Sequence, residues 1–129
     1  MVSLQPLAGL RPRPDLAQAL AAVPYDVLDT ATARELARDN PHCFLRISRS
    51  ELELDPNTDP YSPAVYDHAR ENLRKFVREG YLQEEKQPSL YIYRLQMGEQ
   101  IQTGVMGGVT VDDYNAGRIK IHEKTRPDK

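Results

Sequence analysis

The chain has 129 residues, of which 40% are hydrophobic and 28% charged, and its net charge is −2. This length suits one globular domain, and the small net charge gives no reason to expect a general affinity for nucleic acid or anionic membranes. No segment approaches the roughly 20 apolar residues of a membrane helix, and the N-terminus lacks a signal peptide. The composition therefore predicts a cytoplasmic protein without a nucleic-acid or membrane partner.

The single cysteine, Cys43, stands in an apolar run, which favours a small buried side chain over a nucleophile. No Cys-x-x-Cys pair exists, so the usual structural zinc sites are not expected. A zinc-protease motif also fails, because Arg126 stands where a second histidine is needed one helical turn after His122. We predict no metal site, and the sequence leaves any cofactor unspecified.

The first part of the chain predicts an arm and a short helix. Residues 2–10 indicate a short strand or extended arm, and Pro14 or Asp15 can begin a helix through Ala22. The stretch Pro24-Tyr25-Asp26-Val27 follows as rigid extended backbone, because the residue before a proline avoids the helical region.

The middle of the chain predicts two helices around a strand and a loop. The first helix runs from about Ala31 to Arg38, with Thr32 and Glu35 at capping-box spacing. Residues 43–48 alternate as a strand, and residues 50–60 indicate an exposed loop. The longest helix begins at Ser62-Pro63 and ends at Gly80. Its predicted buried stripe is Val65, Ala69, Leu73, Phe76 and Val77.

The last third predicts a three-stranded meander. Ser89 to Met97 and Gln100 to Val111 are strands joined by Gly98-Glu99, a two-residue turn of type II′. A third strand, Arg118 to about His122, follows a turn at residues 113–117. The predicted fold is one α/β (α+β) domain over residues 1–129. Its mixed sheet ends in this meander and packs against about three helices.

The register of the meander assigns side chains to its two faces. A pairing of Met97 with Gln100 places Ile92 opposite Val105. A pairing of Asp112 with Arg118 places Val111 opposite Ile119 and Val109 opposite Ile121. The predicted core face carries Leu90, Ile92, Val105, Val109, Val111, Ile119 and Ile121. The opposite face carries Tyr91, Tyr93, Gly104, Met106, Gly108, Thr110, Lys120 and His122, with His122 opposite Gly108.

That second face has two interpretations. It can form the floor of a ligand site in which Tyr93 makes contact. Alternatively, Tyr93 packs over Gly104 and protects a glycine in the sheet, which is the blander and favoured interpretation.

The segment from His122 to Lys129 concentrates polar chemistry after the last predicted strand. His122 can move protons near neutral pH, and Glu123 can orient it by folding back. Lys124 and Arg126 can hold a phosphate or carboxylate, with a further hydrogen bond from Thr125. The competing interpretation is a solvated tail without fixed structure, which spacing alone favours.

The second candidate is the extended stretch around Asp26. Its proline can position the Asp26 carboxylate as a base or as the group that orients His122, with Tyr25 as a ligand contact. Otherwise Asp26 and Asp29 begin a turn and cap the next helix. Capping explains Asp29 better than Asp26.

Several motifs occur in a distinctive order: Pro24-Tyr25-Asp26-Val27, then Asn40-Pro41, then residues 88–93 (Pro-Ser-Leu-Tyr-Ile-Tyr), and finally His122-Glu123-Lys124-Thr125. In this order the chain resembles the start of the bacterial and archaeal family called domain of unknown function 1015, from about residue 5 to 129. The resemblance implies a several-fold longer protein, so Lys129 is expected to be a truncation point. It implies no established activity.

Two functional hypotheses follow. The first is an enzyme-like domain that binds a small anionic ligand, with His122 as acid or base and Lys124 and Arg126 on the anion. The second is a non-catalytic binding or regulatory module that uses the Tyr91/Tyr93 face, including self-association through the exposed sheet. A third, blander alternative is a scaffold whose function resides in another part of a longer protein.

Overall fold

A computed structural model describes residues 2–120. In this range the chain forms two compact units, one from residues 10–84 and one from residues 2–9 together with 85–120. The α-helices and strands, in chain order, are β1 (Leu10–Pro12), α1 (Ala17–Leu20), α2 (Thr30–Arg38), α3 (Leu45–Ser48), α4 (Pro63–Arg78), β2 (Leu82–Glu84), β3 (Tyr91–Met97), β4 (Gln100–Met106) and α5 (Val111–Asn115). Short 3-10 helices occupy Pro14–Leu16 and Ser50–Glu53. The predicted α+β class is confirmed, with two antiparallel strand pairs in the described residues.

The unit of residues 10–84 holds the apolar core. One cluster consists of Ala33, Ala37, Cys43 and Leu45, and the other of Leu20, Phe76 and Leu82. Strand β1 pairs antiparallel with β2, with Arg11 opposite Gln83. Cys43 is 4% exposed, which confirms its predicted burial.

Helix α2 has the predicted extent and a different cap. The Asp29 carboxylate accepts a hydrogen bond from the Thr32 backbone N–H at 2.7 Å. That backbone bond holds the pKa of Asp29 below its usual value. The predicted capping box at Thr32 is therefore wrong, because the capping residue lies about one turn earlier. The alternative in which Asp29 caps the helix is confirmed.

Helix α4 begins and ends where predicted. Pro63 follows Ser62 at the start, and Gly80 has a φ of 72° just beyond the end. The N–H of Tyr81 donates to Phe76 O at 2.8 Å, and the N–H of Gly80 donates to Val77 O at 3.0 Å. These two bonds form a Schellman motif, which satisfies the last carbonyls of the helix.

The buried stripe of α4 is narrower than predicted. Val65 and Phe76 are buried and Ala69 is partly buried, but Leu73 and Val77 are 37% and 44% exposed. The prediction is wrong for these last two residues.

The strand predicted at residues 43–48 is wrong, because this segment contains the one-turn helix α3. The Arg46 guanidinium donates to Asn40 O at 3.0 Å and to Ala37 O at 2.6 Å. These bonds cover carbonyls at the end of α2 and draw the chain back upon it. The predicted exposed loop is also partly ordered, since Ser50 is buried and its hydroxyl donates to Val65 O at 2.6 Å.

The other unit is built on the β3–β4 hairpin. Met97 lies opposite Gln100 and Ile92 opposite Val105, as the predicted register requires. Gly98, the first turn residue, has a φ of 60°. The first residues form the predicted extended arm, in which Gln5 pairs with Gly108 and Leu7 with Ser89.

The third strand of the meander is not formed in the described residues. Helix α5 occupies positions 111–115, where the Thr110 hydroxyl accepts the Asp113 backbone N–H at 3.1 Å. Gly117 ends it with a φ of 66°, and Arg118 pairs with the buried Asp113 at 2.7 Å. The local cap and ion pair thus favour a helix over a strand. The pairings of Asp112 with Arg118 and of Val111 with Ile119 are wrong.

The predicted core face is exposed. Ile92, Val105 and Val111 are 72%, 58% and 72% exposed. Gly108 pairs with Gln5. Ile121 and His122 lie outside the described residues, so the pairing of His122 with Gly108 stays a prediction.

Candidate functional site

The charged segment from His122 to Lys129, which the sequence analysis identified, lies outside the described residues. The roles of His122, Glu123, Lys124, Thr125 and Arg126 stay predictions. The structure describes three other predicted site residues, Tyr25, Asp26 and Tyr93.

The loop that carries Tyr25 and Asp26 is held by Arg49. The Arg49 guanidinium donates to Tyr25 O at 3.1 Å, to Leu28 O at 2.9 Å and to Thr30 Oγ1 at 2.9 Å. It also pairs with Glu51 at 2.5 Å, and the two side chains are only 15% and 14% exposed. Nothing in the sequence points to Arg49, because its contacts to this loop span 19 to 24 positions.

An open groove with a volume of about 480 Å³ borders this loop. Its lining is mostly apolar and includes Tyr25, which is 49% exposed. The other lining residues are Leu10, Pro12, Ala17, Leu20, Ala21, Ala22, Val23, Pro24, Phe44, Ser48 and Leu82. The structure therefore places Tyr25 where a ligand can reach it.

Asp26 is exposed beside this groove and does not line it. Among the described residues, none donates a hydrogen bond to the Asp26 side chain. The alternative of a capping role applies to Asp29 and not to Asp26.

Tyr93 lines a second open pocket, also of about 480 Å³, on the hairpin. Tyr93 is paired with Gly104 in the register, but a Cβ added at Gly104 would meet nothing within 4 Å. The interpretation in which Tyr93 packs over Gly104 is therefore wrong. The space above the glycine is open and is lined by Tyr93, Leu95, Gln102, Thr103 and Gly104.

Tyr91 has a different, structural contact. Its hydroxyl accepts the Gly9 N–H at 2.7 Å and donates to Leu7 O at 3.2 Å. The ring thereby fixes the N-terminal arm beside the hairpin. A side chain at Gly9 would clash, since its Cβ would lie 2.7 Å from the Tyr91 hydroxyl.

Glu53 lies in a partly buried network of polar side chains that the sequence did not predict. This carboxylate contacts His68 Nε2 at 2.8 Å, accepts Asn72 Nδ2 at 2.8 Å and pairs with Arg46. Partial burial raises the pKa of Glu53, but the hydrogen bonds from Asn72, His68 and Arg46 outweigh it and leave the pKa lowered.

The family model described as "Protein of unknown function (DUF1015)" matches residues 4–129. The chain belongs to this family. The resemblance seen in the order of its motifs is thereby confirmed.

A curated relative of this DUF1015 chain is a rice protein, from Oryza sativa subsp. indica. It is described as a probable bifunctional methylthioribulose-1-phosphate dehydratase/enolase-phosphatase E1. The two are 23% identical over 88 residues, which cover 66% of the DUF1015 chain and 16% of the relative. The chain thus spans a small part of the relative's length. No solved structure matches it.

Within residues 2–120 of this DUF1015 chain, no helix combines the length and apolar character that a membrane crossing requires. The same part of the chain contains no cluster of three or more histidine, cysteine, aspartate or glutamate side chains suited to a metal ion.

Proposed function

We propose that this DUF1015 chain is part of an enzyme-like protein that binds a small organic ligand bearing a phosphate or carboxylate group. The observation that carries the proposal is the groove beside Pro24-Tyr25-Asp26-Val27. Small-molecule sites are typically concave and mostly apolar with a few polar groups. Because Arg49 fixes the bordering loop, the groove needs little reorganisation before it can receive the uncharged part of a ligand. Asp26 supplies an exposed carboxylate next to it.

The anionic character of the ligand is proposed from the sequence of residues 122–126. Lys124 and Arg126 offer cations, Thr125 a hydroxyl, and His122 with Glu123 an acid–base pair. The name of the rice relative includes a sugar phosphate as substrate, which supports a phosphate ester as the ligand class.

A ligand panel on two sets of variants tests the proposal. We expect phosphate monoesters or aromatic carboxylates to raise the Tm of the wild-type chain. Lys124→Ala/Arg126→Ala should strongly reduce the shift, and Tyr25→Ala should weaken it. Lys86→Ala/Arg78→Ala is the matched control with the same loss of charge. If the control variant loses as much of the shift as Lys124→Ala/Arg126→Ala does, only general electrostatic attraction was at work and the proposal fails.

A second candidate function, a protein-interaction module, is favoured by the exposure of the hairpin. Apolar side chains on both of its faces are open to solvent, including Ile92 (72%), Tyr93 (51%) and Met97 (79%). An isolated two-stranded hairpin is marginal in water, and a large exposed apolar patch marks an interaction surface. We propose that a second copy of this chain covers it.

The composition of β4 supports pairing with a second copy. Among the described residues β4 pairs only with β3, so its other edge is open. It contains no charge or proline, the usual devices that protect an edge. A two-fold register centred on Thr103 places Ile101 against Val105 of the second copy. If β3 paired with β3 of the second copy in the same way, the two Arg94 side chains would face each other, which is unfavourable.

Sedimentation over a range of concentrations tests this pairing. We expect the wild-type chain to dimerise and Thr103→Lys to be monomeric, because two ammonium groups would then face each other. Gln96→Lys adds the same charge to β3 and should still dimerise. A wild-type chain that stays monomeric, or a dimer that survives Thr103→Lys, contradicts the proposal. Binding of an extended peptide by a monomer would identify another occupant.

A further inference from the structure

A third pocket, of about 380 Å³, lies between α2, α3 and the following 3-10 helix, and its polar lining is mainly cationic. Arg34, Arg38, Arg46 and Glu53 line it together with Ala37 and Leu52. Three guanidinium groups and one carboxylate leave a net charge of +2 on the lining side chains (3 − 1). Neither the proposed function nor the motifs of the sequence account for this pocket.

Two of its charges balance each other and complete the local fold. Arg46 pairs with Glu53 and donates to Ala37 O and Asn40 O. These bonds satisfy the carbonyls at the end of α2, where the helix dipole is negative. Arg46 and Glu53 therefore form a neutral wall of the pocket.

The remaining two cations are available for a ligand. Arg34 is partly buried, and its one hydrogen bond, from Nε to Leu52 O, is long at 3.5 Å. No carboxylate among residues 2–120 forms an ion pair with it. Arg38 pairs with Glu35, but both side chains are 63% exposed, so the pair is weak and can exchange its partner.

The geometry of α2 brings these two arginines together. Residues four positions apart lie on the same helix face, with Cβ atoms about 5–6 Å apart. Guanidinium groups bind oxyanions through paired N–H donors. We infer that this pocket binds a phosphate group, held by Arg34 with Arg38 as the second donor. The inference is independent of the proposed function, because it uses none of residues 122–126.

Helix α4 offers an internal comparison. Arg70 and Arg74 have the same four-residue spacing, but each pairs with a carboxylate, Asp67 or Glu71. These ion pairs are as exposed as that of Arg38 with Glu35, so the comparison rests on Arg34, which forms no ion pair among residues 2–120. Arg74 is therefore the matched control for Arg34.

Phosphate titration of the Lys124→Ala/Arg126→Ala chain tests the pocket apart from the proposed function. At constant ionic strength, calorimetry with inorganic phosphate should show saturable binding. Arg34→Gln should weaken the affinity about tenfold, the effect of losing one charged hydrogen bond. Arg74→Gln should leave the affinity unchanged. A parallel titration with glycerol 1-phosphate distinguishes an esterified phosphate from the free ion, and either result supports the pocket.

The inference is overturned if neither phosphate probe binds this background, or if Arg34→Gln and Arg74→Gln have equal affinities. If Arg34→Gln does not fold, Arg34→Lys and Arg38→Gln decide. Arg34→Lys keeps the charge and loses the paired donors, so it should bind several-fold more weakly than the parent. Parental affinity in both variants would also overturn the inference.

Discussion

The Arg49 side chain holds in place a loop that has no regular secondary structure. The loop before α2 has no helix or strand, yet two of its carbonyls and the Thr30 hydroxyl accept hydrogen bonds from this guanidinium. Glu51 balances the charge at 2.5 Å, so the largely buried arginine does not lie unpaired. The conformation at Tyr25 thus depends on a residue 24 positions away.

We expect Arg49→Leu to lower the free energy of unfolding by about 2–3 kcal/mol, because it leaves the loop carbonyls and Glu51 without their donor. Urea denaturation measures the loss. Arg74→Leu, which removes an exposed ion pair with Glu71, should cost less than about 1 kcal/mol. Equal losses in the two variants would show that Arg49 does not hold the loop.

Glu53 gives stability a defined pH dependence. Its folded-state pKa is lowered, so its contribution is complete above the unfolded-state pKa of about 4.3 and disappears as the pH falls through the folded-state value. Glu53→Gln should therefore destabilise the chain at neutral pH by about 1 kcal/mol.

The difference between wild type and Glu53→Gln should shrink as the pH falls below about 4.3 and vanish once the carboxyl of the folded wild type is protonated as well. Urea unfolding across this pH range tests it. Glu71→Gln, at a 58% exposed position, is the control and should show little pH-dependent difference. If the difference in unfolding free energy between wild type and Glu53→Gln persists in acid, the ionised carboxylate is not its cause.

At the scale of elements, local signals predicted the ends of α4 and the hairpin well. Ser62-Pro63, Gly80 and Gly98 act within a few residues of themselves, so their effects can be inferred from sequence. The strand expected at residues 43–48 failed because Arg46 bonds to carbonyls of the preceding helix. The third strand failed because Thr110 and Gly117 delimit a helix that the apolar alternation concealed.

The end of α4 allows a direct test of such a local signal. Gly80→Ala should cost about 1 kcal/mol of unfolding free energy, since a side chain is strained at its positive φ. Gly104→Ala is the control, because a Cβ there meets nothing within 4 Å and no positive φ is required. Equal stabilities of the two alanine variants would contradict the Schellman ending of α4.

The ligand contacts predicted at Tyr25 and Tyr93 stay predictions, although each residue lines an open groove. Sequence analysis missed the sites that distant residues define. The Glu53 network and the Arg34 pocket assemble side chains from separate elements, with contacts such as Asn72 to Glu53 spanning 19 positions. No spacing rule along the sequence predicts such contacts.

At the scale of the whole molecule, the apolar core is unevenly distributed. Among the described residues, every buried apolar side chain belongs to residues 10–84. In the hairpin unit the buried side chain is Asp113, whose pKa is lowered by the hydrogen bond from Arg118. The described part of the hairpin unit therefore has little apolar burial to stabilise it.

Amide hydrogen exchange should show this difference. We expect the amides of α4 to exchange slowly, at rates near those of global unfolding, and those of β3 and β4 to exchange orders of magnitude faster in dilute solution. Protection of β4 should rise with protein concentration if a second copy pairs with it. Equally strong protection of α4 and of the hairpin in a dilute monomer would refute this difference.

The N-terminal arm has a consequence for biosynthesis. Gly9 bonds to Tyr91, 82 positions later, while Gln5 pairs with Gly108. Residues 2–9 are synthesised before their partners in the hairpin unit and must therefore wait for them. Residues 10–84 are continuous and contain both apolar clusters, so they can fold during translation while the arm is still unpaired. The hairpin unit closes only after its final strand has emerged, which leaves the arm open to proteases and chaperones until then.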